Sequence, residues 1–381
     1  MNFIEGQANS HPDLAEKYGK LGDLFTRKLW HQLTEEISAF VSVVSNSKED
    51  SFLKLYRDFI STFESKLNQL KFAQILVSIS KTLSDTTAGE GLLSEVLAAN
   101  RERLGTEASL LLDMEVALFK IRQSSDLAGA RALVESGREV LEGIVAAEDT
   151  VVHCTYFRAA AEYYQAVGPP EEFYKSGLMF LAYTPEGALE VDQARGLALA
   201  LTLAALTGDG IFNFGEVLAT PILKALEGTE DAWLGEMLKV FHRGDVDAFT
   251  KLVDEHRPAF DAQVALSSRE DVVKEKMALL CLMNMVFERP SHQRNIKFEE
   301  IAQRTRLPLD QVEWLVMRAM SLGLIKGIMD GVDQELSVSW VQPRVLENAQ
   351  LKHLGERLEK WQNVSNNALI FMEDQTPELF N

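Results

Sequence analysis

The sequence predicts a mainly α-helical protein, and three observations support this. Apolar residues recur at helical spacing through most of the 381 residues. Turns at Gly168, Gly208 and Gly244 lie 40 and 36 residues apart, the irregular period of a right-handed, TPR-like solenoid of helical hairpins. Beyond about residue 270, three helices are followed by a small β-hairpin and a long C-terminal helix, the order expected of a winged-helix module with an extension.

The N-terminal third is predicted to consist of helices alone. The first spans Leu21 to Val44, with apolar residues at every third or fourth position. Similar patterns predict further helices, at about 51–64, 68–83, 90–103 and 108–122. Between Pro12 and Pro169 the sequence has no proline, which favours stacked helical hairpins joined by short polar loops.

The central helices are bounded by clear glycine and proline signals. An apolar stripe begins this region, comprising Val152, Tyr156, Ala159, Tyr163 and Ala166. Gly168-Pro169-Pro170 should end that helix, because glycine favours the position after a helix and proline cannot continue one. A second helix is predicted at 171–181. The next hairpin starts at 191–206, turns at 208–210 and resumes at Phe214.

The pattern after residue 270 predicts a winged helix. The three helices are expected at Val272–Phe287, Phe298–Thr305 and Asp310–Leu322. Alternating apolar and polar residues predict a half-buried strand at 336–341, paired across the turn 330–333 with a strand at 324–329.

From Val345 a last helix is predicted to continue to about Met372. Its apolar residues follow a heptad-like seam, formed by Leu351, Leu354, Leu358, Trp361, Ala368 and Phe371. Such a seam on a terminal helix has little to bury against within one chain, so we expect it to contact helices of partner proteins.

The number and placement of charged residues help to distinguish between the possible functions of the winged helix. The chain has a net charge of −19, which disfavours non-specific binding to nucleic acid or to anionic membranes. Residues 270–342 carry nine basic and eleven acidic side chains, and the third helix carries Asp310 and Glu313 against Arg318. A DNA-reading helix needs basic and amide side chains. One local basic group could contact phosphate, comprising Arg289, Arg294, Lys297, Arg304 and Arg306. The alternatives are a solvated face or ion pairs with a neighbouring acidic subunit.

Sequence motifs give no support to an enzyme. The sequence contains no GxxxxGK[ST] phosphate loop, no HExxH and no GxSxG. Cys154 and Cys281 are best interpreted as small buried apolar residues. We therefore expect no catalytic residue, no metal and no cofactor. The longest apolar stretch, 196–206, is too short to span a bilayer, and the first ten residues lack the features of a secretory leader.

Five stretches of sequence resemble the PCI family. They are residues 25–33 (FTRKLWHQL), 208–216 (GDGIFNFGE), 279–283 (LLCLM), 298–302 (FEEIA) and 340–346 (WVQPRVL). That family supplies scaffold subunits to the proteasome lid, to a related signalosome complex and to a translation initiation factor. Taken together and in this order, the stretches are most similar to a subunit of the proteasome lid.

The resemblance implies a non-catalytic scaffold subunit, cytoplasmic and nuclear, that works in ubiquitin-dependent proteolysis as part of a hetero-oligomer. Its expected partners are other PCI subunits of the lid and a neighbouring ubiquitin receptor, with neither nucleic acid nor membrane. The predicted partner-binding residues of the wing are Leu324, Ile325, Lys326, Leu336, Val338 and Trp340. Those of the C-terminal helix are Leu351, Leu354, Leu358, Trp361 and Phe371.

The corresponding domain prediction has three parts. A helical-repeat solenoid covers residues 1–255, the winged-helix part covers 256–343, and an assembly helix and tail cover 344–381; the PCI domain as a whole would span about 171–341. The alternative hypotheses are a winged-helix adaptor that binds nucleic acid, or a scaffold of another PCI complex, the signalosome or the initiation factor.

Overall fold

The computed structural model describes residues 15–44, 56–83, 86–124, 126–144, 149–185, 187–289, 293–345 and 348–375. Residues 51–55 of the second predicted helix and the tail 376–381 lie outside the described residues. The chain divides into two compact units, Met1–Ala188 and Leu189–Asn381. The mainly helical fold and the small C-terminal sheet that the sequence predicts are confirmed.

Residues 56–58 of the first unit are helical, and its described residues also contain seven α-helices with defined bounds. They are α1 (Ala15–Thr26), α2 (Trp30–Val44), α3 (Gln69–Thr82), α4 (Thr86–Phe119), α5 (Leu127–Gly143), α6 (Thr150–Val167) and α7 (Pro170–Tyr183). Short 3-10 turns at Ile60–Thr62 and Glu64–Lys66 precede α3, and a π-helical segment, Lys120–Ser124, follows α4. One continuous apolar core runs from α1 through α6.

The single helix predicted at 21–44 is wrong, because α1 and α2 are separated by a turn at Lys28. Phe25 and Trp30 both contact Phe63, with ring centroids 5.4 and 5.8 Å away. On an unbroken helix, residues five apart point about 140° away from each other, so the turn is what brings both rings to one cluster. Phe59 joins this cluster, and the helix predicted up to residue 64 is replaced there by 3-10 turns.

The separate helices predicted at 90–103 and 108–122 correspond to the two halves of α4. Gly105 has φ 73° and ψ 178° inside it, so the backbone is not helical at that residue. This conformation is accessible almost only to glycine. The helix end predicted at Gly168 is confirmed, and the stripe on α6 is buried except for Ala166.

The second unit begins with a series of helices. They are α8 (Val191–Thr207), α9 (Gly215–Ala219), α10 (Ala232–Arg243), α11 (Val246–Glu255), α12 (Arg257–Ala262), α13 (Val264–Ser267) and α14 (Glu270–Glu288), with a 3-10 helix at Pro221–Leu226. The turns predicted at 208–210 and Gly244 are confirmed. Helix α14 is the central element, with twelve buried residues from Val273 to Val286.

The winged helix follows directly. Its remaining elements are β1 (Asn295–Lys297), α15 (Phe298–Thr305), α16 (Leu309–Ser321), β2 (Ile325–Asp330), β3 (Glu335–Val341) and then the C-terminal helix α17 (Asn348–Gln375). The antiparallel sheet has the order β1-β3-β2, with Ile296 opposite Leu336 and Ile328 opposite Ser337. The sequence predicts only β2 and β3, since a strand of three residues is too short to show a period of two.

Replacing Gly105 should test the break in α4. We expect Gly105→Ala to lower the free energy of unfolding by about 1–3 kcal/mol, because alanine is strained at this backbone conformation. The measurement is urea denaturation of the full chain followed by circular dichroism. Gly91→Ala is the matched control: Gly91 lies in the regular part of α4 with open space around it, so alanine there should stabilise the chain slightly. Equal effects of the two substitutions would contradict this account.

Candidate assembly surfaces

The segment that leads into the C-terminal helix is anchored by Arg344. One guanidinium nitrogen donates to the main-chain oxygen of His242 at 3.2 Å, and another donates to Oδ1 of the buried Asn284. The guanidinium also lies over the Phe287 ring, 5.2 Å from its centroid. Because Asn284 donates in turn to His242 O, these groups connect the segment after β3 to both α10 and α14.

The loop 208–216 is organised by Lys276, a lysine of α14 that is only 3% exposed. Its Nζ donates to the oxygens of Ala205 (2.6 Å) and Gly208 (2.8 Å), at the C-terminal end of α8. The same ammonium lies 5.6 and 5.3 Å from the ring centroids of Phe212 and Phe214. The last carbonyls of a helix have no partner within it, so this cation satisfies them and complements the helix dipole.

The same loop contacts Val345, the residue after Arg344. The Val345 amide donates to Oδ1 of Asn213 at 3.2 Å, and Asn213 donates to Glu216 at 2.7 Å. A Cβ atom at Gly215 would lie 2.6 Å from Cβ of Val345, closer than carbon atoms can approach. Two of the stretches that resemble the PCI family, 208–216 and 340–346, therefore meet here and hold the segment that precedes the C-terminal helix.

Sequence reasoning missed this junction. Lys276 follows Val273 by three residues and precedes Leu280 by four, so it lies on the apolar face of α14. A lysine at an apolar position of a long helix is the signal that could have identified it.

The sheet places the six predicted wing residues in two groups. Leu324, Ile325, Leu336 and Val338 are buried within the module. Strand β3 is central, paired on one side with β1 and on the other with β2. The side chains of these four residues therefore belong to the fold, and a partner strand has access to β2 or to β1 as edge strands.

Lys326 and Trp340 are the exposed members of the predicted wing set. They lie opposite each other on β2 and β3, and the Lys326 ammonium is 4.9 Å from the Trp340 ring centroid. Ile328, also on β2, is 77% exposed. The edge strand β2 thus combines backbone available for pairing with side chains that have apolar surface in water.

The C-terminal helix α17 is exposed along its whole described length. Every side chain that the structure describes from Leu351 to Gln375 is exposed. The predicted seam is among them, with exposed fractions of 50% for Leu351, 42% for Leu354, 55% for Leu358, 70% for Trp361 and 64% for Phe371. A 28-residue helix is about 42 Å long, so this is a large apolar stripe without cover in the single chain.

The basic group near the winged helix forms ion pairs within the second unit. Arg304 binds Glu288 at 2.8 Å, Arg306 binds Asp247 at 3.0 Å, and Arg289 binds Glu300. The Arg306 guanidinium holds the pKa of the Asp247 carboxyl below its usual range. Arg294, whose Nε is buried without a hydrogen-bond partner, has its main-chain oxygen bonded to Val338 N. The three ion pairs neutralise Arg289, Arg304 and Arg306, and so reduce the positive charge that phosphate contact would require.

A polar cleft of about 780 Å³ lies among these ion pairs, lined in part by Asp245, Gln303 and Arg344. Cys281, whose thiol donates to the main-chain oxygen of Arg304 at 3.5 Å, is buried, and this burial raises the pKa of the thiol to about 11. The thiol therefore stays protonated at neutral pH and is a poor nucleophile. Within the described residues, no group of three or more His, Cys, Asp or Glu side chains is placed to hold a metal ion.

Helical repeats that run into a winged helix with a three-stranded sheet define the class of PCI-domain proteins. Comparison with protein families agrees: the family described as PSD13 N-terminal repeats matches residues 17–238, and the PCI domain matches residues 253–340. In the described residues, no helix is both long and apolar enough to cross a membrane.

Comparison with individual proteins shows which family within the PCI class this chain belongs to. The chain is 36% identical to the 26S proteasome non-ATPase regulatory subunit 13 homolog B of Arabidopsis thaliana, over 100% of this chain and 98% of the relative. It is 31% identical to the corresponding subunit of Dictyostelium discoideum, with the same coverage. It is 30% identical to the 26S proteasome regulatory subunit RPN9 of Saccharomyces cerevisiae, over 94% of this chain and 91% of the relative. The chain belongs to the family of the 26S proteasome non-ATPase regulatory subunit 13.

The contact between Gly215 and Val345 can be tested by a double-mutant cycle. We expect Gly215→Ala to destabilise the second unit by about 1–3 kcal/mol, because the new methyl group overpacks the site. Val345→Gly should restore part of that loss in the double variant, since it removes the atom that the methyl group meets. Thermal denaturation of the four proteins is the measurement. Purely additive effects would show that the two positions do not interact as described.

Proposed function

We propose that this chain is a non-catalytic scaffold subunit of the proteasome regulatory particle lid and assembles through its C-terminal helix. One observation carries the proposal: the apolar seam of α17 is uncovered in the single chain. At roughly 25 cal/mol per Å² of apolar surface removed from water, covering such a seam gives a substantial gain on association. The relatives named as proteasome regulatory subunits support this assignment of partners.

The two halves of α17 have different apolar patterns. From Leu351 to Trp361 the apolar residues occupy one side, which suits contact with one or two helices. Residues 368–372 (ALIFM) are apolar on every side of the helix. A helix that is apolar all round belongs in an interior. We infer that the distal turns insert into a bundle of partner helices and that the proximal turns pack at its border.

The remaining features fit a role in assembly. The proposed location is the cytoplasm and the nucleus, and the proposed process is ubiquitin-dependent protein degradation. The acidic repeats of the predicted solenoid, residues 1–255, would offer a separate surface to a neighbouring ubiquitin receptor. The protonated Cys281 and the internally paired arginines favour a structural role over catalysis.

Charged substitutions in the seam should prevent incorporation into the lid. We expect Leu358→Glu/Trp361→Glu to leave the monomer folded, because both side chains are exposed, and to abolish co-migration with assembled lid on a native gel. Two carboxylates in an apolar interface lose hydration without gaining partners.

The matched control is Lys360→Glu, which changes the net charge by the same amount on the side of α17 opposite Leu351. It should assemble like the unmodified chain. Normal incorporation of the seam variant would contradict the proposal, and loss of incorporation by the control would indicate a general effect of charge on the helix.

We further propose that the edge strand β2 pairs with a strand of a neighbouring PCI subunit through main-chain hydrogen bonds. Hydrogen exchange measured by mass spectrometry should show slower exchange of the amides of residues 325–330 in the assembled lid than in the free chain. Residues 298–305, which form α15 within the module, should change little and serve as the internal control. Unchanged exchange in β2 would contradict this pairing, and protection of β1 alone would move the contact to the opposite edge.

A second candidate is scaffold function in another PCI complex. The chain is 28% identical to the eukaryotic translation initiation factor 3 subunit M of Aspergillus oryzae, over 55% of this chain and 45% of the relative. Purification of the tagged chain separates the candidates: proteasome subunits in the eluate support the lid, and initiation-factor subunits without proteasome subunits support the second candidate.

A further inference from the structure

The third helix of the winged helix, α16, turns two large apolar side chains outward. Trp314 is 52% exposed and Met317 is 47% exposed. They are three residues apart, so they are neighbours on the helix surface. The opposite side of α16 carries the residues that pack into the module, namely Val312, Leu315, Val316 and Ala319. The two exposed residues are therefore additional to the core that α16 needs.

Carboxylates surround this pair. Asp310 precedes Trp314 by four residues and Glu313 precedes Met317 by four, so each lies one turn away on the same side. The basic residue of the helix, Arg318, donates to Glu275 at 3.0 Å and is held against α14. The outward side of α16 is thus apolar at its centre and negative around it.

The turn between β2 and β3 extends the negative surface. A Cβ atom at Gly331 would lie 4.0 Å from Oε1 of Glu313, so the turn is beside α16. Asp330 and Asp333 lie in this turn and are exposed. The amides of Val332 and Asp333 donate to the Asp330 carboxylate, at 2.9 and 3.1 Å, and lower its pKa, so it is charged at neutral pH.

We propose that this surface, the α16 face (Asp310, Glu313, Trp314 and Met317, with Asp330 and Asp333 of the turn), binds a basic amphipathic helix of a neighbouring protein subunit. Apolar residues of that helix would cover Trp314 and Met317, and its lysines or arginines would meet the surrounding carboxylates. Tryptophan and methionine are enriched at protein interfaces, and tryptophan is frequent among the residues that dominate binding.

The negative charge of the α16 face favours a basic helix over nucleic acid or a membrane. In DNA-binding winged helices the third helix faces the major groove, but carboxylates at that position repel phosphate. The same carboxylates disfavour an anionic membrane. The inference rests on the proposed function, since it takes neighbouring subunits as given. It adds a surface that adjoins the β2 edge at Asp330.

The test uses the full chain with Met317 replaced by the photoreactive p-benzoylphenylalanine. Incorporation into the lid is first checked on a native gel, and the assembled complex is then irradiated. We expect a cross-linked peptide with apolar residues at helical spacing and more Lys and Arg than Asp and Glu. Charge reversal by Asp310→Lys/Glu313→Lys in the same chain should reduce the cross-link yield about fivefold.

Asp254→Lys/Glu255→Lys is the matched control, since it changes the net charge equally at exposed positions of α11. It should leave the yield unchanged. A chain that incorporates but gives no cross-link, a cross-linked peptide that is acidic, a cross-link to nucleic acid, or a yield insensitive to Asp310→Lys/Glu313→Lys would each overturn the inference. Failure of the unmodified chain to incorporate would instead overturn the proposed function.

Discussion

The buried ammonium of Lys276 satisfies the C-terminal carbonyls of α8 from within α14. A buried carbonyl without a partner costs about 1–3 kcal/mol, so these two helices are joined by more than apolar contact. The contact also positions Phe212 and Phe214, and with them Asn213 and Gly215, which touch Val345. Through this loop, a lysine of α14 supports the position of Val345, about 70 residues later in the chain.

The winged helix uses its charges in a way that suits protein contact. Most of its arginines are paired with carboxylates of the same unit, as Arg304 is with Glu288 and Arg306 with Asp247. Its outward positions carry carboxylates beside Trp314 and Met317. In DNA-binding proteins this architecture presents cations to the phosphates of DNA. In this chain it presents apolar surface that is bordered by carboxylates. The fold alone does not determine what is bound, and the placement of a few charged side chains decides it.

Sequence periodicity predicted most helices because their apolar stripes and glycine ends are strong local signals. Residues 298–305 form the helix at the predicted bounds, and the helix before Gly168 ends where expected. The break at Lys28 and the strand β1 were not predictable in this way, because each depends on residues distant in sequence: the aromatic cluster around Phe63 and the partner strand β3. The seam of α17 followed from the heptad pattern. The anchoring of its start by Arg344 did not, since a hydrogen bond to His242 leaves no pattern in sequence.

The exposed helix α17 also has a consequence for the chain before it meets its partners. A surface that is apolar enough to drive assembly is equally able to associate with other copies or with unrelated proteins. The uncovered seam therefore favours self-association, and this tendency increases with the concentration of the chain. On the proposed function, synthesis in excess of its partners would leave copies of the chain with this apolar surface in water, where they would associate with one another.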